Sequence, residues 1–96
     1  MIERTLLIKT RLGLHARAAA RLVRVASGFH SQVKLRRLDG SASADAKSIL
    51  SVLMLAASRG TELLASAEGS DEKAAIDAID QLFAEGFGET EPESSI

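Results

Sequence analysis

The chain has 96 residues, a net charge of −1 and no cysteine, and these properties exclude several classes of protein. Its length fits one domain, and the lack of cysteine excludes disulfide scaffolds, zinc ribbons and thiol catalysis. A charge so close to zero gives no overall field that would attract nucleic acid or an anionic membrane.

The first residues show no signal-peptide pattern, and no apolar run approaches the roughly 18 residues of a membrane helix. We therefore expect a small soluble cytoplasmic protein without a membrane partner. Aromatic rings come from three phenylalanines alone, so a platform for stacking nucleic-acid bases is not expected. Two histidines without paired carboxylates at ligand spacing predict no metal site, and no motif predicts a cofactor.

The first predicted elements are a strand and a helix separated by a glycine. Residues 2–10 alternate between two sides, which favours a strand. Gly13 breaks this pattern, and residues 16–27 are rich in Ala, Leu and Arg, which favour a helix. Gly28 fits a C-terminal cap of that helix. The residues at helical spacing that we expect to face the core are Ala16, Ala19, Ala20, Val23 and Ala26.

The middle of the chain predicts a β-hairpin followed by a second helix. Residues 32–38 alternate again, and Asp39-Gly40 is a strong hairpin turn signal before a short return strand at 41–44. Residues 45–57 then follow a helical period but are apolar nearly all round. We expect this segment to lie deep in the protein or to contact a partner.

The last predicted elements are a strand and a helix. Residues 61–68 alternate as a strand, and Ser70 or Asp71 caps a helix that runs to about Phe87. The residues of this helix expected to face inward are Ala75, Ile76, Ile79, Leu82 and Phe83. We predict one domain over residues 1–87 and an acidic, disordered tail over 88–96.

The resulting order, β-α-β-β-α-β-α, predicts an α+β fold. One hairpin is explicit, and right-handed parallel crossovers cannot join all the strands. A mainly antiparallel four-stranded sheet with three helices packed on one face is therefore the economical arrangement.

His15 is the residue best placed for chemistry, because it lies where the glycine turn meets the first helix. A lone histidine in a small domain is more often a surface or capping residue, so its context decides. A helix start offers backbone N–H groups and the positive end of the helix dipole, which favour an anion such as phosphate. That field also favours the neutral imidazole, the form that attacks phosphorus. We expect the amides of Ala16, Arg17 and Ala18 to hold a phosphoryl group, with charge-assisted bonds from Arg17.

Arg17, Arg21 and Arg24 form a basic stripe along the same helix. The stripe is typical of a solvated helix face, and it also fits the docking of an acidic partner beside His15. Nucleic acid is the weaker interpretation because no aromatic platform accompanies the arginines. His30, in a loop before a strand, is predicted to be an exposed polar residue.

Ser48 begins the second helical segment, and its spacing alone predicts an N-cap. Most of the apolar residues after it would be core. Those that face outward beside the arginines would form a small adhesive patch, with Ile49, Leu50, Leu53 and Met54 as the candidates.

Three motifs together resemble the HPr family, phosphocarriers of the bacterial phosphoenolpyruvate-dependent sugar phosphotransferase system. The run Gly13-Leu14-His15-Ala16-Arg17, followed by alanines, is similar to the family's active-site motif. Residues 46–55 resemble the region around its regulatory serine, and residues 67–72 resemble its last strand-to-helix junction. The resemblance covers residues 2–87 in order and with compatible spacing.

The resemblance implies a fold and a function. The fold is an open-faced β-sandwich, and the protein is a monomeric carrier rather than a stand-alone turnover enzyme. His15 would accept phosphate on Nδ1 from phosphorylated Enzyme I and pass it to an EIIA domain, with Arg17 stabilising the phosphohistidine. Ser48 would be a regulatory site for HPr kinase/phosphorylase, where such a kinase exists. The residues that would form the docking face are Ala20, Arg21, Arg24, Ile49, Leu50 and Leu53.

One residue departs from the family pattern, which usually has proline after the active-site arginine, whereas this chain has Ala18. Alanine restores a backbone N–H in the first helical turn, and we expect function to survive with a changed phosphohistidine lifetime. The alternatives are a carrier of the nitrogen-related phosphotransferase branch and a purely regulatory binding module. The presence of His15 argues against the module, and the lack of exposed aromatic residues in the strands argues against an RNA-binding domain.

Overall fold

The computed structural model of the protein describes residues 1–88, so the predicted acidic tail lies outside the described residues except for Gly88. The strands and α-helices follow one another in the predicted order. They are β1 (Ile2–Leu7), α1 (Ala16–Ser27), β2 (Gln32–Arg37), β3 (Ser43–Asp45), α2 (Ile49–Leu53), β4 (Glu62–Glu68) and α3 (Glu72–Ala84), with a 3-10 turn at Gly86–Gly88 after α3.

The four strands form one antiparallel sheet in the order β1-β4-β2-β3. In the central strand β4, Ala67 lies opposite Ile2 on one side and Val33 on the other. The helices pack on one face of the sheet, and the other face carries exposed residues such as Lys34 and Arg36. This arrangement confirms the predicted open-faced α+β sandwich.

The core lies between the covered face of the sheet and the helices. Alternate strand residues and one side of each helix supply it, including Leu6, Leu22, Val33, Leu35, Val52, Leu63, Ile76, Ile79 and Phe83. Each large side chain of this kind contributes on the order of 1.5–3 kcal/mol when it is buried. Phe87 joins them from the 3-10 turn, with its ring centroid 4.8 Å from that of Phe83.

The predicted second helix is much shorter in the structure, where α2 has only five residues. Asp45 still belongs to β3, and its carboxylate accepts the N–H of Lys47 at 2.9 Å, which holds the chain in a turn. Ser48 is extended and caps the helix. Ala56 adopts a φ of 51°, so the helical pattern of 45–57 is broken on both sides of α2.

The bounds of two strands also differ from the prediction. β1 ends at Leu7. The next residue, Ile8, still donates its N–H to the carbonyl of Thr61 at 3.0 Å, just before β4 begins. β3 begins at Ser43 because Ser41 completes the hairpin turn, donating its amide and hydroxyl to Asp39.

The predicted core stripe of α1 was wrong in part. Ala16 is exposed and Ala20 is half-buried, whereas Ala19 and Ala26 are buried, and the half-buried Val23 packs against the core as predicted. The fully buried residues of α1 are Ala18, Ala19, Leu22 and Ala26. Alanines lie on several sides of this helix, so the large side chain of Leu22 decides which side the core receives.

The predicted inward face of α3 is confirmed, with four of its residues buried and the half-buried Leu82 packed against the core. The helix ends at Ala84, and Phe87 reaches the core from the 3-10 turn instead of from the helix. Asp71 occupies the N-cap position, but its side chain makes no cap hydrogen bond.

The Asp71 carboxylate instead holds the loop between α1 and β2. It accepts the backbone N–H groups of His30 and Ser31, both at 2.9 Å, and the hydroxyl of Ser31. These bonds, led by the one from the Ser31 hydroxyl, lower the pKa of Asp71 to about 2. The charged carboxylate therefore joins the start of α3 to a loop about forty residues earlier in the chain.

We expect Asp71→Asn to lower the free energy of unfolding at neutral pH. We also expect the stability of the variant to fall less than that of the parent as the pH is lowered. The pKa of Asp71 falls from 3.8 to about 2 on folding, so its stabilisation is present above 3.8 and is lost as pH falls through about 2. Melting temperatures of the parent, Asp71→Asn and the exposed-strand control Glu68→Gln, measured from neutral pH to pH about 2, check this. Equal acid sensitivity of all three would contradict it.

Candidate functional site

His15 is the N-cap of α1, at the junction that the sequence predicted. Its backbone is extended, with φ −74° and ψ 178°, while its carbonyl accepts the N–H of Ala19 at 2.8 Å. The imidazole Nδ1 accepts the backbone N–H of Arg17 at 3.3 Å. The ring thus fills the position that a short polar side chain usually takes at a helix start.

The two ring nitrogens of His15 lie in different surroundings. Nε2 is buried inside the protein, whereas the hydrogen bond between Nδ1 and the Arg17 amide is on the exposed side. The Nδ1 lone pair that accepts this bond points at the helix start, which in the neutral ring corresponds to the tautomer with its proton on Nε2. Nδ1 is therefore the ring nitrogen on the exposed side of His15.

Hydrogen bonds stabilise the loop before His15 and so fix the position of this residue at the start of α1. The buried Thr10 hydroxyl donates to the carbonyl of Gly13 at 2.7 Å, and the His15 amide donates to the same carbonyl at 2.9 Å. The Leu14 amide donates to the carbonyl of Ala57 at 2.9 Å. The histidine is thereby held against the segment that follows α2.

Gly13 is required where this loop meets that segment. It has a φ of +70°, and a Cβ at this position would lie 2.5 Å from the Ala57 carbonyl oxygen and 2.8 Å from the Cα of Ser58. Any residue other than glycine at this position would therefore adopt an unfavourable φ and clash with the backbone of Ala57 and Ser58.

The predicted phosphate-binding amides lie in the first turn of α1. Ala16, Arg17 and Ala18 are its first three residues, so their N–H groups have no carbonyl partner within the helix. Arg17 is exposed, and Ala18 is fully buried. A group attached to Nδ1 would lie at the positive end of the helix, where anions are favoured.

The predicted docking face is only partly accessible. Arg24 is exposed, as are Ile49 and Leu50, with 42% and 67% of their surfaces accessible. Ala20 and Leu53 are half-buried. Helices α1 and α2 pack against each other, so the exposed Arg24 and Leu50 lie on neighbouring elements.

Arg21 differs from the other arginines of the stripe. Its guanidinium donates a hydrogen bond to the carbonyl of Phe87, and Gly88 lies close beside it. Part of its function is therefore structural, because it fastens the C-terminal turn to α1.

Sequence reasoning missed Leu12 as a surface residue near the site. Leu12 is 72% exposed in the loop before His15, and Met54 at the end of α2 is 75% exposed. The signal for Leu12 was its place in a turn between Arg11 and Gly13, where a leucine has no strand or helix to bury it.

Ser48 is the N-cap of α2, as its spacing predicted. Its Oγ accepts the N–H of Ser51 at 3.3 Å, and its side chain is half-buried. The Oγ of Ser51 in turn accepts the N–H of Asp45 at 3.0 Å. The serine hydroxyl therefore lies at the start of the helix that carries Leu50.

Neither a metal cluster nor a membrane helix occurs in the part of the chain that the structure describes. Over residues 1–88, no three His, Cys, Asp or Glu side chains converge, and no helix is long and apolar enough to cross a bilayer. His30 is exposed, as predicted, and its backbone amide rather than its ring contacts Asp71.

The chain is similar to known proteins over most of its length. A family model described as the PTS HPr component phosphorylation site matches residues 2–85. The phosphocarrier protein HPr of Cupriavidus necator is 46% identical, covering 95% of this chain and 100% of that protein. The phosphocarrier protein NPr of Proteus mirabilis is 45% identical, covering 90% of this chain and 94% of its own length.

A solved structure shows the same fold. The crystal structure of HPr-C-His from Thermoanaerobacter tengcongensis has a TM-score of 0.88 and 42% identity, and it covers 95% of this chain and 100% of that one. The family match over nearly the whole described region, together with these relatives, shows that the chain belongs to the HPr family of phosphocarrier proteins of the phosphotransferase system.

Proposed function

We propose that this protein accepts a phosphoryl group on Nδ1 of His15 from phosphorylated Enzyme I and passes it to an EIIA domain in sugar uptake. The observation that carries this proposal is the asymmetry of the ring. Nδ1 faces the exposed start of α1, whereas Nε2 is buried.

Phosphorylation of His15 replaces the P–N bond of Enzyme I with a new P–N bond at Nδ1. The Nδ1 lone pair attacks phosphorus, the bond between phosphorus and the histidine of Enzyme I breaks, and the electron pair returns to that nitrogen. The hydrogen bond from the Arg17 amide to Nδ1 is given up. That amide and the amide of Ala18 then donate to phosphoryl oxygens, and the Arg17 guanidinium adds a charge-assisted bond.

The surface around His15 suits a partner with acidic and apolar groups. Arg17 and Arg24 are exposed on α1, and Leu50 is exposed on the adjacent α2. Opposite charges on the partner would speed the encounter, and the apolar side chains would slow dissociation. The rate of transfer should therefore fall as salt increases.

Mass spectrometry after incubation with phosphoenolpyruvate and Enzyme I tests the proposal. The expected result is a gain of one acid-labile phosphate that transfers onward when an EIIA domain is added. A protein that stays unmodified while a known HPr is phosphorylated in parallel would overturn it.

A second candidate function is that of a carrier in the nitrogen-related branch. The protein is about as similar to an NPr as to an HPr, with 45% and 46% identity. Offering the phosphorylated protein to EIIA domains of both branches distinguishes them, because the correct branch should accept the phosphoryl group faster.

We further propose that Ser48 is a regulatory phosphorylation site. A phosphate there would add about −1.5 to −2 charges at the start of α2, the helix that carries Leu50 of the proposed docking face. Incubation with ATP and an HPr kinase should give an acid-stable phosphate on the parent and none on Ser48→Ala. An unmodified parent would remove the regulatory claim.

The charge effect can be measured without a kinase. We expect Ser48→Asp to raise the KM for phosphorylation by Enzyme I several-fold at low salt, whereas Ser48→Asn should leave it nearly unchanged. Asp and Asn cap helices about equally well, so the pair differs mainly in charge. Equal KM values for the two variants would contradict the electrostatic account.

A further inference from the structure

Three successive backbone carbonyls follow α2, and each has a partner elsewhere in the fold. The guanidinium Nη1 of Arg37 donates to the carbonyl of Leu55 at 3.1 Å and to that of Ala56 at 3.4 Å. The next carbonyl, that of Ala57, accepts the Leu14 amide at 2.9 Å. Arg37 thus binds the carbonyls of Leu55 and Ala56, and the carbonyl that follows them, that of Ala57, binds the loop that carries His15.

The held segment has an unfavourable backbone conformation. Ala56 has a φ of 51°, in the left-handed region that L-residues with a Cβ seldom occupy. Such a conformation persists when surrounding contacts hold it. The bonds from Arg37 to the peptide groups before and after the Cα of Ala56 are contacts of this kind.

Arg37 is itself oriented by the hairpin turn. Its Nε donates to Oδ2 of Asp39 at 3.5 Å, and Oδ1 of Asp39 accepts the amide and hydroxyl of Ser41 at 2.9 and 2.6 Å. The hydroxyl of Ser41 is the main cause that lowers the pKa of Asp39, which keeps the carboxylate charged. The Arg37 side chain, at the end of β2, is about one quarter exposed.

We propose that Arg37 is a positioning residue for phosphoryl transfer at His15. It acts through the Leu55–Ala57 segment, whose Ala57 carbonyl accepts the Leu14 amide. The position of Leu14 in turn determines where the imidazole of His15 lies relative to the start of α1. This inference rests on the proposed function for its kinetic consequence and on the contacts above for its structural one.

Steady-state phosphorylation by Enzyme I tests the kinetic consequence in Arg37→Met, Arg37→Lys and Arg36→Met. Methionine keeps most of the side-chain length but removes the donors, lysine keeps one cationic donor group, and Arg36 is an exposed neighbour on the open face of the sheet. We expect kcat to fall about tenfold in Arg37→Met, because small misplacements of reacting groups have large effects on rate. KM should change less, Arg37→Lys should recover part of the loss, and Arg36→Met should match the parent.

Hydrogen exchange of the Leu14 amide tests the structural consequence without any partner. Exchange should be faster in Arg37→Met than in Arg36→Met, and the ring nitrogen signals of His15 should shift. If Arg37→Met does not fold, Asp39→Asn takes its place, because it disturbs the orientation of the guanidinium and leaves Arg37 present.

The two proposals fail in different ways. If the parent is not phosphorylated by Enzyme I, the proposed function is wrong. The exchange rate of the Leu14 amide and the His15 ring signals still test whether Arg37 positions the loop, and equal values in Arg37→Met and Arg36→Met would show that it does not. If the parent is phosphorylated but Arg37→Met equals Arg36→Met in kcat, the positioning role is overturned. A lower melting temperature with unchanged kcat would likewise overturn it, since it would show a merely structural role.

Discussion

His15→Ala is expected to abolish phosphorylation by phosphoenolpyruvate and Enzyme I. The substitution removes the only imidazole at the start of α1, and the exposed Nδ1 that faces the Arg17 amide is lost with it. The fold should survive, because the loss of an N-cap costs about 1 kcal/mol. Intact-protein mass spectrometry should therefore show a folded protein without acid-labile phosphate.

The other histidine of the chain supplies the matched control. His30 is exposed in the loop before β2, and the contact of this residue with Asp71 is made by its backbone amide. His30→Ala should be phosphorylated at the rate of the parent. An acid-labile phosphate on His15→Ala, or its loss from His30→Ala, would show that the site has been assigned to the wrong residue.

Gly13→Ala is expected to have the second largest effect, on both stability and activity. The new Cβ would lie 2.5 Å from the Ala57 carbonyl oxygen, in a residue whose φ is +70°. Relieving this clash has to displace the loop that carries Leu14 and His15. We expect the free energy of unfolding to fall by at least about 2 kcal/mol and kcat for phosphorylation to fall up to about 100-fold.

Gly40→Ala separates the clash from the backbone conformation. Gly40 has a similar φ of +79°, but nothing lies within 4 Å of a Cβ at that position. Its substitution should cost about 1 kcal/mol and leave kcat unchanged. Denaturant unfolding and phosphorylation rates of both variants check this, and equal losses in the two would show that the close contact at Gly13 has no role.

Patterns local in sequence predicted the order of the elements and the junction at His15. Alternation marked the strands, and Asp39-Gly40 marked the hairpin that the structure contains. The length of α2 could not be predicted from its apolar run. Its limits depend on the carboxylate of Asp45 at one end and on the left-handed Ala56 at the other.

The contacts that the sequence could not predict join residues far apart in the chain. Arg21 looked like one member of a basic stripe, yet it bonds to the carbonyl of Phe87, 66 residues later. In the sequence Arg37 cannot be distinguished from its neighbour Arg36, but in the structure its guanidinium donates to the carbonyl of Leu55 after α2. Such partners are backbone carbonyls, which leave no pattern in the amino-acid sequence.

The central claim is that Nδ1 of His15 carries the phosphoryl group, and ring-nitrogen NMR of the phosphorylated protein tests it most directly. With 15N-labelled histidine, the spectrum separates a phosphate on Nδ1 from one on Nε2. Because Nε2 is buried and Nδ1 lies at the exposed start of α1, we predict a single phosphorylated species with the phosphate on Nδ1 of His15. A phosphate on Nε2, or on His30, would contradict the account.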